Sequence, residues 1–175
     1  MKRSSVLFSM AIIITSITVC FASVSFSDDM IEQIKINNDD IPSGFMLGKI
    51  PQFASKVFTG NPCYVDDRGK RTIADKIYPG GNAINIKTMH VTILASSRTP
   101  YGDDIVCYIL VFKDANAAKK EIKKLQEFTG YNGDRSMLIV KDTLAVFIHA
   151  DDSEHFRYIE SIGSAIQDRL QPVYQ

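Results

Sequence analysis

Asp104-Ile105-Val106-Cys107-Tyr108-Ile109-Leu110-Val111-Phe112 is the stretch on which the fold turns. After one acid, eight residues run with no polar face. This reads as a strand apolar on both sides and therefore central in its sheet. Ahead of it, Thr99-Pro100-Tyr101-Gly102-Asp103-Asp104 makes a turn. From Ile84 up to that turn, Met89, Val91, Ile93 and Ala95 alternate with His90, Thr92, Leu94 and Ser96, the period of a strand. Behind the central strand, Asp114 caps a helix whose buried stripe is Ala115, Ala118, Ile122 and Leu125, and Gly130 closes it.

The same order then repeats. Met137–Val140 and Leu144–Ile148 pair across Lys141-Asp142-Thr143 as a hairpin. A final helix starts at Asp151 or Asp152, shows Phe156, Ile159, Ile162, Ile166 and Leu170, and is followed by Pro172. Shifted by 37 positions, Leu110-Val111-Phe112-Lys113-Asp114 lies over Phe147-Ile148-His149-Ala150-Asp151. The expected class is α+β: two ββα units forming one antiparallel sheet, with the helices packed on one face.

Short helices are expected ahead of the sheet. Residues 28–48 are polar and turn-rich, with Met30, Ile31, Ile34 and Ile36 available for a short leading element. A single globular domain is drawn over 49–175. Its first helix runs from Pro51 to a stop at Gly60, with Ile50, Phe53, Ala54, Val57 and Phe58 at helical spacing. A loop holding Cys63, Asp66, Asp67 and Gly69 separates it from a second short helix, Thr72–Tyr78, halted by Pro79-Gly80-Gly81.

The amino end reads as an export signal. Lys2 and Arg3 precede an apolar run from Val6 through Val19, and no charge follows until Asp28. Small residues at Ala22, Ser25 and Ser27 suit a signal peptidase, which assigns 1–27 to a cleaved signal peptide. Two other readings stay open. The uncharged stretch 4–27 could remain as an anchor, since about 20 residues cross a bilayer. Cys20 could carry a lipid, although Val19 is a poor residue to precede it. All three put the domain outside the cytoplasm, periplasmic or secreted, with membrane contact through 4–27 or through Cys20 in the last two. The chain has no Asn-x-Ser/Thr acceptor, which fits a bacterial envelope.

Without Lys2 and Arg3, 18 basic residues stand against 20 acids, a balance that argues against a nucleic-acid partner. Only Cys63 and Cys107 follow the signal. In an oxidising compartment an even pair suggests a disulfide, whereas Cys107 inside an apolar strand equally suits a buried free thiol.

Candidate chemistry is sparse, and no cofactor motif stands out. His149-Ala150-Asp151-Asp152-Ser153-Glu154-His155 gathers metal-ligand types, with His149, Asp151, Asp152 and His155 as the ligand set, but Asp151 and Glu154 also resemble a helix-capping box. His90 could be a general base or a structural histidine. Asp66-Asp67 and Asp103-Asp104 are loop carboxylate pairs that turn chemistry explains. Gly80-Gly81-Asn82 precedes a strand, the wrong context for a phosphate loop. Lys119, Lys120, Lys123 and Lys124 form a basic patch with Lys113 nearby, suited to anionic lipid or an acidic partner. Tyr64, Tyr78, Tyr101 and Tyr131 lie beside turns, where tyrosines often make contact surfaces. Two function classes follow. One is a non-catalytic extracytoplasmic binding domain for a protein or small ligand. The other is a metal-assisted envelope hydrolase working at the His149–His155 corner.

Overall fold

A computed structural model describes residues 28–171. The segment read as an export signal, Cys20 included, and Pro172 lie outside the described residues. The chain is α+β, with a six-stranded antiparallel sheet. The strands are β1 (Phe45–Leu47), β2 (Cys63–Tyr64), β3 (Ile86–Ser96), β4 (Ile105–Phe112), β5 (Ser136–Lys141) and β6 (Leu144–Ala150). The helices are α1 (Asp28–Ile34), α2 (Asp67–Ile77), α3 (Ala115–Tyr131) and α4 (Phe156–Leu170). Sheet order is β1-β3-β4-β6-β5, and β2 shares the outer edge of β3 with β1. The two ββα units are present, and β4 and β6 lie side by side at the centre, with Ile105 opposite Ala150 and Val111 opposite Leu144.

The helices do not share one face. Ile105, Cys107, Ile109 and Val111 of β4 join Val146 and Ile148 of β6 in one core with Ile31 and Ile34 of α1 and Ile159, Ile162 and Ile166 of α4. The alternate residues Val106, Leu110 and Phe112, with Ala145 and Phe147, make a second core with Ile73 and Ile77 of α2 and Ala117, Ala118 and Leu125 of α3. Strands apolar on both sides require cover on both sides, since an exposed Ile, Leu or Phe forgoes about 1.5–3 kcal/mol of burial. The single helical layer expected from the sequence is thereby corrected to two. On the α4 side the approach is close: a Cβ at Gly163 would lie 2.3 Å from Met137 Sδ.

Three further readings change. The Pro51–Gly60 helix is only a 3-10 turn at Gln52–Ala54, and Phe53 is 88% exposed. A segment that short is marginal as a helix without packing, and only Val57 and Phe58 of its stripe reach the core. α2 begins at Asp67 rather than Thr72, because the Asp66 carboxylate accepts from Gly69 N at 2.6 Å and so caps the helix. The boundary drawn at 48 does not mark the edge of the core either, for Ile31, Ile34 and Ile36 are buried and β1 pairs with β3.

Cys63 and Cys107 are free thiols. Cys63 stands opposite Val91 on β3, and Cys107 lies a strand further on and belongs to the core of the other face. Two strand spacings of about 4.8 Å, with the side chains on opposite faces, place them beyond disulfide reach. The bridge suggested by their even count is corrected accordingly.

Two side chains close gaps that the backbone leaves. Between β1 and β2, the edge of β3 is met by Asn61. Its Oδ1 accepts from Ile93 N at 2.8 Å, and its Nδ2 donates to Ile93 O at 2.7 Å and to Gly48 O at 2.8 Å. An amide side chain thus does what a strand's peptide group would do. On the α3 side, Glu121 is fully buried. It accepts from Tyr78 Oη at 2.9 Å, Asn85 Nδ2 at 2.7 Å, Lys124 Nζ at 2.8 Å and Asn82 N at 3.2 Å. Burial pushes its carboxyl up, yet the donors from Lys124, Asn85, Tyr78 and Asn82 outweigh burial and hold it below the ordinary 4.5.

Replacing Glu121 by Gln sets an amide against donors that need an acceptor, and should cost about 3 kcal/mol. That corresponds to a fall of roughly 6–12 °C in Tm for a chain of this size. Because the folded carboxyl titrates low, its contribution should be complete above about pH 4.5 and fade as pH falls through the folded value. Calorimetry of the variant at pH 7 and at lower pH checks both statements; an unchanged Tm would show the cluster to be ornamental.

Candidate functional site

The residues singled out from the sequence fall in four places. His149 and His155, read as one corner, point to opposite faces. His149 stacks on Phe147 at 6.1 Å and tilts against Phe128 of α3 at 6.2 Å. His155 packs edge-on to Phe45 at 5.2 Å, on the α4 side. Asp152 caps a 3-10 turn (Ser153–His155), accepting from Glu154 N at 2.9 Å. In place of His149 and Asp152, the fold brings up Asp104. One ligand atom each of Asp104, Asp151 and His155 lies within 4.8 Å of the others. The register explains this, because Asp104 directly precedes Ile105, the partner of Ala150, and Asp151 N donates to Asp104 O at 3.1 Å. His155 Nδ1 is 3.3 Å from Asp151 Oδ1, and Asp104 Oδ2 accepts from Ser96 N at 2.8 Å.

His90 is inside, 2% exposed, and its Nδ1 and the neighbouring Thr92 Oγ1 have no hydrogen-bond partner among the described residues. The face of β3 that carries His90 and Thr92 is therefore covered too. Thr92 stands across from Cys107, and Tyr64 crosses His90 edge-on at 5.0 Å while donating to Glu32 of α1 at 2.8 Å. Burial, then the nearby Lys35 charge, push the imidazole down to about 4 against a small opposing pull from Glu32. Burial likewise pushes the Cys107 thiol up to about 12. Neither group is poised for acid–base or nucleophilic work at neutral pH.

The tyrosines separate. Tyr78 is 1% exposed, a core residue bonded to Glu121, so its assignment to a contact surface is corrected. A ring that large at the end of an amphipathic helix is better buried once its hydroxyl has a partner. Tyr64 is on the sheet edge, Tyr101 in the β3–β4 turn with Lys49 Nζ 5.8 Å from its ring centre, and Tyr131 in the last turn of α3. Phe53, Tyr64, Ile84, Tyr101, Tyr131 and Val140 are the exposed large apolar residues among those described, each on a different element.

The lysines fare differently. Lys119, Lys120 and Lys123 are exposed on α3, opposite its buried Ala117, Ala118 and Leu125. Lys123 is loosely paired with Glu127 at 3.9 Å, and Lys124 is drawn inward by Glu121 and Gly80 O. A neighbouring cleft of about 320 Å³ was not foreseen. It is lined by Lys70 and Arg71 of α2, Lys87 of β3 and Lys113 ahead of α3, with Asp67, Ala83, Ile84 and Ile86. These cations are 16 and 26 positions apart between groups, so nothing local in the sequence announces their convergence.

No family model, curated protein or solved structure matches the chain. Among the described residues, no helix is long and apolar enough to cross a membrane.

His90 offers a direct check on this geometry. Its folded pKa lies below the unfolded value near 6.5, so the unfolded chain takes up the proton first as pH falls. Stability from this site should be complete above about pH 6.5 and decline toward pH 4. Urea midpoints of the wild type and His90→Phe across that range measure it. A wild-type curve as flat as the variant's would contradict a buried, neutral His90.

Proposed function

We propose that the chain is an exported, non-catalytic binding domain of a bacterial cell envelope, and that it meets an anionic partner through the cationic face of α3. The carrying observation is the exposure of Lys119, Lys120 and Lys123 on one side of a helix whose other side is sunk in the core. In a chain whose acids and bases balance at 20 each, charge gathered on one face is a local field rather than a general excess. Export is supported by Lys2 and Arg3 ahead of an uncharged stretch that lasts to Ser27. Tyr131, 89% exposed in the last turn of the same helix, extends that face with an aromatic ring.

Sedimentation with vesicles tests the reading. Near an anionic surface each lysine contributes about 1 kcal/mol, so three can account for up to roughly a hundredfold in binding. The wild type should bind phosphatidylglycerol vesicles in low salt, release in high salt, and ignore phosphatidylcholine. A triple Lys119→Gln, Lys120→Gln, Lys123→Gln variant should bind at least tenfold more weakly. Equal retention of variant and wild type would remove α3 from the interface.

The hydrolase alternative survives only with a changed ligand set, Asp104, Asp151 and His155, favoured by their mutual reach. Two carboxylates and an imidazole suit a zinc-type cation. Under this reading zinc should raise Tm in the wild type, and Asp151→Asn or His155→Ala should abolish that rise while leaving the metal-free Tm unchanged. Absence of any zinc-dependent shift in the wild type would dispose of it.

A further inference from the structure

The cleft beside α3 holds more convergent positive charge than its own structure uses. Lys70 is 6% exposed and fully engaged: its Nζ donates to Lys87 O at 2.8 Å and Ile86 O at 3.4 Å, and pairs with Asp67 at 2.8 Å. That pairing answers the one carboxylate of the lining. Lys70 also lowers the Asp67 carboxyl, by hydrogen bond and by charge, so this acid stays ionised and bound to it. Arg71, Lys87 and Lys113 remain exposed around the cleft. None of these three side chains has a hydrogen bond or ion pair with the described residues. They come from α2, from β3 and from the connection between β4 and α3.

Three like charges turned toward one concavity repel each other, and the one carboxylate of the lining, Asp67, acts on Arg71 and Lys113 only through space while it is paired with Lys70. Clefts with low-dielectric walls concentrate such a field and draw in an opposite charge. The walls also state what else the occupant carries. Ala83 and Ile84 form an apolar side, and Ile84 is 69% exposed. A volume of about 320 Å³ is at the small end of ligand pockets. Arg71 can present its planar fork to two oxygens at once, while Lys87 and Lys113 act as point charges. The occupant that fits is a phosphate-type oxyanion borne on a small organic body with an apolar portion.

We infer that the cleft between the start of α2 and the start of β3 binds the phosphate group of such a molecule through Arg71, Lys87 and Lys113. The inference rests on the anionic-partner reading above but commits to residues outside the exposed face of α3. Lys70 is a positioning residue, tying the backbone at Ile86 and Lys87 to α2 and neutralising Asp67.

Two probes on the full-length chain separate the sources of a phosphate: glycerol phosphate in solution, followed by calorimetry, and phosphatidylglycerol vesicles. At least one should bind saturably, and Arg71→Gln combined with Lys113→Gln should weaken it tenfold or more. Both substitutions replace exposed, unpaired side chains, so the unfolding midpoint should stay put. Binding of the soluble ester assigns a small ligand. Binding of vesicles alone, with the same loss, assigns a lipid headgroup, and either outcome supports the site. No saturable binding of either probe, or binding indifferent to the double variant, overturns it. If binding fails only in the α3 triple variant, the α3 interface stands and the cleft falls. If the double variant loses the ester while the triple variant holds vesicles normally, the cleft stands and the α3 interface falls.

Discussion

Strands β4 and β6 carry no polar side, and the rest of the molecule answers that constraint. A sheet centre of Ile105, Cys107, Ile109 and Val111 on one face and Val106, Leu110 and Phe112 on the other cannot be covered by a single layer. The two ββα units meet the demand by sending their helices in opposite directions. The connection from β4 to α3 is two residues, Lys113 and Asp114, while that from β6 to α4 is five and includes a 3-10 turn. The longer link carries α4 across to the other face. There it shares a core with α1, and Arg169 near its end reaches Lys35 O at 2.9 Å and Asp40 at 2.7 Å. An amino-terminal segment of mostly polar residues is in this way part of the core's cover.

Polar groups inside this double core are few, and their treatment divides them. Glu121 has four donors and binds the α2–β3 connection to α3, so its charge is compensated where it sits. Asn61 completes an edge that two short strands leave open. His90 and Thr92 have atoms without partners, and burial keeps the imidazole neutral. The first two groups specify how elements meet; His90 weakens the core in acid.

Local rules carried much of the fold into view. Alternation revealed β3, the capping position of Asp114 fixed the start of α3, and the turn at Lys141–Thr143 fixed the hairpin, where Asp142 adopts φ +52°. The doubly apolar character of β4 held the correct layer count, but the 37-residue likeness suggested a symmetry that the unequal connections break. At Pro51 the spacing was helical while the packing partners were missing, so Phe53 stayed in solvent. The candidate sites were harder for the same physical reason. Asp104 joins Asp151 and His155 through strand register, and Arg71, Lys87 and Lys113 meet through packing, and neither leaves a mark on adjacent residues.

Placement then discriminates among the groups that could do chemistry. His90 and Cys107 are withdrawn into the core with their charged forms disfavoured. Among the lysines, Lys70 and Lys124 are consumed by Asp67, Glu121 and backbone carbonyls. Exposed and without such a claim, Arg71, Lys87 and Lys113 gather in one concavity, and Lys119 and Lys120 stand on the adjoining helix. Keeping like charges together disfavours the folded state slightly through their repulsion, while pairing each with a surface acid would cost the fold little. A chain with 20 acids has carboxylates to place beside them and has, in this region, placed them on the already engaged Lys70 and Lys124 instead. An arrangement of that kind is what an anion site requires: cations held apart from internal partners by a framework that has neutralised its own.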